Sequence, residues 1–430
     1  MKGGVASQML QNETAGRVTP RLAVIADDIT GSFDTGVQFQ KRGAAVRFAL
    51  GAQLPELLEG AQVLVIDAET RHASPEETYA EIRRLALWTV QMGIPHLYIK
   101  TDSGLRGHVG MALKAALDAT GCRLCGFAPA YPDMDRITRD GQQIISGVPL
   151  HCSVFGQDLF DPVRGSGIRD MILPSGATVM EMGLDGNWDT RTAEPAVAVF
   201  DTVCNEDFDR IALHLQAMGQ LRLTAGCAAF ASHLPGVLGL PDLPAVPPEV
   251  TAPLLVVCGS LNPITRAQME YGEKQGGVRC SMSMAQLLEE DYLDSAEGMV
   301  WLEGLRLQLK ARRTLLVDTG LQPPCGNTAP ADMDGARVRI AAQLGRLMLR
   351  LISMEESEGC MPMMIGGDTL MGFLNQLSSP EVMLEGEAAP GVVCFSIAWR
   401  NRRLRMLSKS GGFGGATLLQ DMLTTQMLCV

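Results

Sequence analysis

The chain has 430 residues, 46% hydrophobic and 20% charged, enough apolar material for two or three cores at about 100–200 residues per domain. Lys and Arg number 36 against 48 Asp and Glu, a net charge of −12 that repels phosphate backbones and anionic lipid and so argues against nucleic-acid and membrane partners. No apolar run approaches the roughly 18–20 residues of a membrane span, no apolar h-region opens the chain, and eleven scattered cysteines fit free thiols in a reducing cytoplasm.

Residues 1–20 are polar and unpatterned and are expected to form a disordered tail. Residues 21–28, R-L-A-V-I-A-D-D, read as a buried parallel strand whose carboxyl end carries two acids. A helix is expected over 35–42, ending at Gly43. Further strands are expected at 44–50, 63–67, 96–101 and 125–130, and a helix at 75–92 with Ser74 as N-cap and Pro75 as first helical residue. Weaker strand patterns follow at 196–202 and 224–230, with a helix near 205–219. Strands alternating with helices predict an α/β domain with a mainly parallel sheet.

Residues 241–253 read P-D-L-P-A-V-P-P-E-V-T-A-P, and five prolines there preclude a regular helix or central strand. The expected organisation is therefore a domain over 21–240, a Pro-rich linker over 241–253 and a second domain over 254–430. In the second domain strands are expected at 254–258, 314–318, 361–365, 392–397 and 404–408, and a long helix at 333–353. Cys122 and Cys125 form the one close thiol pair. No second pair stands at zinc-ligand spacing, so the pair reads as structural. Six histidines with no HxH or HxxxH arrangement argue against a histidine-rich metal site.

Chemistry concentrates at strand ends, where open α/β sheets bind ligands. The first cluster is Asp27-Asp28-Ile29-Thr30-Gly31-Ser32-Phe33-Asp34-Thr35-Gly36. A carboxylate there could orient a hydroxyl or accept its proton, or simply cap a helix. The second is Lys100-Thr101-Asp102-Ser103-Gly104-Leu105-Arg106-Gly107-His108, where Lys and Arg in a glycine-rich turn suit an anion. A third, Pro129-Ala130-Tyr131-Pro132-Asp133 with Arg136 and Asp140-Gly141, says little alone. In the second domain three glycine turns follow strands: Gly259-Ser260, Gly366-Gly367-Asp368-Thr369, and Ser410-Gly411-Gly412-Phe413-Gly414-Gly415 after Lys409. Glycines permit close backbone approach to phosphate. None is a Walker A loop, and no G-x-G-x-x-G opens either domain.

Taken in order, these motifs resemble the four-carbon acid sugar kinase family of threonate, erythronate and oxo-tetronate kinases. The resemblance rests on A-D-D-I-T-G-S-F-D-T-G (26–36), K-T-D-S-G-L-R-G (100–107), P-A-Y-P (129–132), D-G (140–141), G-V-P-L (147–150) and D-P-V-R (161–164). Later it rests on G-S (259–260), G-G-D-T (366–369) and K-S-G-G-F-G (409–414). It implies an N-terminal sugar-acid domain, a C-terminal ATP domain and an active site in the interdomain cleft. It implies that Asp27, Lys100 and Arg106 bind the acid, with Asp28 acting on the attacking hydroxyl and Asp102 as second choice. Ser260, Gly366, Gly367, Asp368, Thr369, Gly411 and Gly412 would contact ATP. Mg²⁺ would bridge its β- and γ-phosphates, with Lys409 available to neutralise charge. The expected partners are the acid and ATP, with a homodimer open. The rival readings are a kinase for another small hydroxy acid and a non-catalytic sugar-acid sensor.

Overall fold

The computed structural model describes residues 19–51, 53–55, 58, 60–157, 162–244, 246–320, 333–377 and 381–424. The expected tail lies outside the described residues except for Thr19 and Pro20, as does Asp161 of D-P-V-R. The chain divides into two compact units between Pro244 and Ala245, inside the Pro-rich stretch.

The first unit contains β1 (Leu22–Ala26), α1 (Ile29–Gln40), β2 (Val46–Leu50), β3 (Val63–Asp67), α2 (Pro75–Gln91), β4 (His96–Lys100), α3 (Val109–Thr120) and β5 (Leu124–Ala128). It continues with β6 (Arg136–Arg139), β7 (Gln142–Ile145), β8 (Val148–Pro149), α4 (Ile168–Ile172), β9 (Thr178–Met182), β10 (Ala196–Phe200), α5 (Asn205–Ala217), β11 (Leu223–Gly226) and α6 (Ala228–Ser232). Its main sheet runs β2-β3-β1-β4-β11-β5-β10-β9 with every pairing parallel, and β6-β7-β8 form a small separate sheet. β1 is central and all five of its residues are inaccessible, which is why it reads as an unbroken apolar run.

The helix expected at 35–42 starts six residues earlier, at Ile29. Asp28 caps it, accepting from the Gly31 N–H at 2.9 Å, so Gly31 stands in the first helical turn and not in a loop before the helix. Ile29, Phe33 and Val37 are buried along one face, and Phe33 packs edge-on against Phe48 at 5.0 Å. Each such side chain contributes about 1.5–3 kcal/mol by leaving water. α2 begins as expected, with a reciprocal capping box between Ser74 and Glu77. β5 stops at Ala128 and β11 at Gly226, short of the expected 130 and 230.

The second unit contains β12 (Leu254–Cys258), α7 (Pro263–Lys274), β13 (Val278–Ser281), α8 (Met284–Leu288), α9 (Ala296–Lys310), β14 (Leu315–Asp318), α10 (Met333–Ile352) and β15 (Met361–Ile365). α11 (Gly367–Leu374), β16 (Val382–Ala389), β17 (Val392–Trp399), β18 (Arg402–Lys409) and α12 (Leu418–Thr424) complete it. Its sheet runs β13-β14-β12-β15-β18-β17-β16, parallel as far as β18 and antiparallel through β17 and β16. Both units are thus α/β with largely parallel sheets. Cys122 and Cys125 are free thiols, and burial pushes the Cys125 thiol well up. No helix among the described residues is long and apolar enough to cross a membrane.

Candidate functional site

In the first unit the acids at the end of β1 meet a residue the sequence reading passed over. Arg71, in the connection from β3 to α2, forks across both carboxylates. Its Nε donates to Asp27 Oδ2 at 2.8 Å and its Nη2 to Asp28 Oδ1 at 2.7 Å, while Nη1 lies 2.7 Å from Asp28 Oδ2. The Thr70 and Arg71 N–H groups donate to the Asp27 carbonyl at 3.0 and 3.1 Å, so backbone and side chain fix the same junction. The connection follows a strand adjacent to β1, so the rule that drew attention to Asp27 would also have found Arg71.

The two acids differ in what remains free. Asp28 Oδ1 accepts from Gly31 N and Arg71, and Oδ2 accepts from the Thr30 hydroxyl at 2.6 Å and faces Arg71 again. Burial opposes its charge, but Arg71, Lys100 and Thr30 outweigh that and hold its carboxyl below the usual range. Asp27 shares only Oδ2 with Arg71. Its Oδ1 is buried and, among the described residues, has no hydrogen-bond partner. Burial pushes Asp27 above the usual carboxylate range against the pull of Arg71 and Lys100. A pocket opens here, lined by Asp27, Arg71, Lys100, Thr101, Arg106 and His108 among others. Thr101 Oγ1 is likewise buried without a partner.

Lys100 ends β4 at 5% exposure. A Cβ on Gly31 would lie 2.5 Å from Asp28 Oδ1 and 2.6 Å from Lys100 Nζ, so only glycine allows the lysine and the cap to meet against α1. Arg106 is engaged by Asp102, donating from Nε to Oδ2 at 2.7 Å and from Nη2 to Oδ1 at 3.3 Å. Burial opposes the Asp102 charge, yet Arg106, Arg71 and Lys100 hold it far below the usual carboxylate range. Arg106 and Arg136 also lie over the Phe155 ring, at 5.3 and 5.0 Å. The expected acid-site residues therefore converge on one end of one sheet, with Arg71 at their centre.

In the second unit the three glycine turns also converge. A Cβ on Gly411 would lie 2.2 Å from Ser260 Oγ, and one on Gly259 would lie 2.3 Å from Thr369 Oγ1. Gly366 has φ +110°, a conformation closed to other residues, and its N–H donates to the Lys409 carbonyl at 3.0 Å. Gly367 opens α11, and a Cβ on Gly366 just before it would lie 3.6 Å from Ser260 N. Gly412 has nothing closer to a built Cβ than Asn262 Nδ2 at 3.8 Å. Asp368 is half exposed and paired with Arg337 at 2.6 Å. Lys409, expected at the ligand, is instead fully buried.

Residues 22–234 match a family model described as a sugar-binding N-terminal domain, and residues 255–419 one described as a nucleotide-binding C-terminal domain. A D-threonate kinase of Salmonella typhimurium is 29% identical over 423 residues, covering 94% of this chain and 97% of that protein. A 3-oxo-tetronate kinase of Methylobacterium radiotolerans is 23% identical, covering 92% and 96%. The crystal structure of a Salmonella typhimurium LT2 protein shares the fold at a TM-score of 0.73 and 18% identity, covering 93% of this chain and 98% of that one.

Proposed function

The chain belongs to the four-carbon acid sugar kinase family, and from that premise we propose that it transfers the γ-phosphoryl group of ATP to a hydroxyl of a four-carbon sugar acid. The observation that carries this reading is the pocket at the end of β1 and β4. It sets an unpartnered, buried carboxylate oxygen of Asp27 and the hydroxyl of Thr101 beside Lys100, Arg71 and Arg106. That combination suits a small hydroxylated anion: cations for the carboxylate, and unpartnered acceptors for hydroxyl protons.

Phosphoryl transfer needs positioning and charge neutralisation more than covalent chemistry. Lys100 and Arg106 meet the substrate carboxylate. Asp102 stays ionised and aims Arg106. We assign to Asp27 the role that the sequence reading gave to Asp28. Both Asp28 oxygens are occupied and its proton affinity is depressed, whereas Asp27 keeps one free oxygen and a raised one. Asp27 thus accepts the proton of the attacking hydroxyl, while Asp28 caps α1 and locks Arg71. Ser260, Gly366, Gly367, Thr369, Gly411 and Gly412 receive the ATP phosphates, with Asp368 at the rim.

Mg²⁺ would arrive with the nucleotide and would supply charge neutralisation to its phosphates. A catalytic cleft where the two ligands meet is part of the proposal, because in-line transfer brings hydroxyl and γ-phosphorus together. The test is an ATP-consumption screen of the purified protein against threonate, erythronate and 3-oxo-tetronate. Turnover with at least one is expected, and turnover with none removes the four-carbon assignment.

A further inference from the structure

Lys409 ends β18 with its whole side chain inaccessible, beneath the loop of residues 410–415. Its Nζ donates to the Ser410 carbonyl at 2.8 Å and reaches the Gly411 carbonyl and Thr265 Oγ1, each at 3.4 Å. Thr265, in α7, donates to the same Gly411 carbonyl at 2.7 Å. Gln268, further along α7, donates from Nε2 to the Phe413 and Gly415 carbonyls, both at 2.9 Å. Carbonyls 410, 411, 413 and 415 are thus all drawn towards α7 and the buried ammonium.

A trans peptide carries its C=O and N–H on opposite sides. Drawing these carbonyls inward turns the N–H groups of Gly411, Gly412, Gly414 and Ala416 the other way. Successive N–H groups on one side of a loop form a concavity for anionic oxygens. Gly411 packs against Ser260 Oγ, which places this concavity beside the turns described above.

We propose that Lys409, with Thr265 and Gln268, is a positioning residue that holds a backbone nest open for the ATP phosphates from below, without touching the nucleotide. The inference rests on the nucleotide reading of the second unit. Burying an ammonium among carbonyls, with no acid partner among the described residues, is costly, and burial brings the Lys409 pKa down to about 8, with the Cys258 thiol opposing the shift. The groups facing Lys409 are that thiol and the Thr265 hydroxyl, and its strand partners Ile365 and Val392 are apolar. Cys258 is itself pushed by burial up to about 12, so lysine alone titrates between pH 7 and 9. An anion in the nest favours the ammonium. Nucleotide binding is therefore tight below that pKa and weakens as pH rises through it.

The experiment is calorimetric titration of the full-length protein with a non-hydrolysable Mg²⁺–ATP analogue, from pH 7 to 9, for wild type, Lys409→Met and Thr265→Val. The wild-type Kd should rise by about tenfold over that range, above the phosphate titration near pH 6. Lys409→Met should weaken binding about 10- to 100-fold at pH 7 and abolish the pH dependence. In steady state its KM for ATP should rise while that for the acid stays unchanged. Thr265→Val, nearly isosteric, should weaken the analogue several-fold, and with the wild-type pH profile it decides the matter if Lys409→Met fails to fold. A flat wild-type profile with either variant binding as wild type overturns the inference and leaves the nucleotide site standing. A wild type that binds no analogue at pH 7 overturns the nucleotide reading itself.

Discussion

Substituting Asp27 and Asp28 separately by Asn tests the division of labour at the end of β1. Asn preserves size and removes the charge. In Asp27→Asn the group with the unpartnered oxygen can no longer accept a proton, and a lost general base costs about 10²–10⁴-fold in kcat. The folded-state pKa of Asp27 is raised, so its ionisation at neutral pH is a cost to the fold. Asp27→Asn should therefore melt at or above the wild-type temperature at pH 7. Asp28 behaves oppositely. Its folded pKa is depressed, so it contributes stability above the unfolded value of about 3.9, lost as pH falls through the folded value. Asp28→Asn keeps an acceptor for the Gly31 N–H but weakens two contacts to Arg71, each a charged hydrogen bond worth about 1.5–3 kcal/mol. It should melt lower at pH 7, converge on wild type in acid, and lose less kcat than Asp27→Asn. Melting curves from pH 3 to 8 and steady-state kinetics on both variants check this. The reasoning is refuted if Asp28→Asn abolishes turnover at an unchanged melting temperature while Asp27→Asn stays within threefold of wild-type kcat.

Arg71→Met should cost about 3–5 kcal/mol of unfolding free energy at pH 7, because two buried carboxylates lose their shared cation. Urea titration should show that penalty shrinking in acid. Gly366→Ala should cost about 1–3 kcal/mol by forcing a side chain into φ +110°, and should raise the ATP KM with little change for the acid. Wild-type kcat/KM should fall on the acid side with an apparent pKa above the usual carboxylate value, as protonation of Asp27 removes the base, and Asp27→Asn should lack that limb.

The buried strands were legible because β1, β12 and β15 are apolar throughout and β3 is apolar up to its terminal Asp67, with no solvent face to break the run. The start of α1 was not, because Gly31 imitates a turn. The stripe Ile29, Phe33, Val37 was the countersignal, and Gly31 is there to clear Lys100 and the Asp28 cap. The hairpin of β6 and β7 was missed for shortness and polarity, although Asp140-Gly141, with φ 51° and 68°, is the dipeptide such a turn demands. At the site, composition pointed to acids and cations at strand ends but not to their pairing. Nothing in the order of residues says that Arg71 crosses to Asp27 and Asp28, or that Asp102 holds Arg106 by its Nε and Nη2. Lys409 stands beside a glycine run, and only its burial shows that it lies under the loop.

The central claim is that this chain moves phosphate from ATP to a four-carbon sugar acid. The most direct measurement is a ³¹P NMR time course of purified protein with Mg²⁺–ATP, with and without D-threonate, followed by D-erythronate and 3-oxo-tetronate. With at least one acid present, the account predicts that the γ-phosphate resonance is replaced by an equal phosphomonoester resonance and ADP, with no change when the acid is omitted. Intact ATP with all three acids, or release of inorganic phosphate at the same rate with and without them, would contradict it.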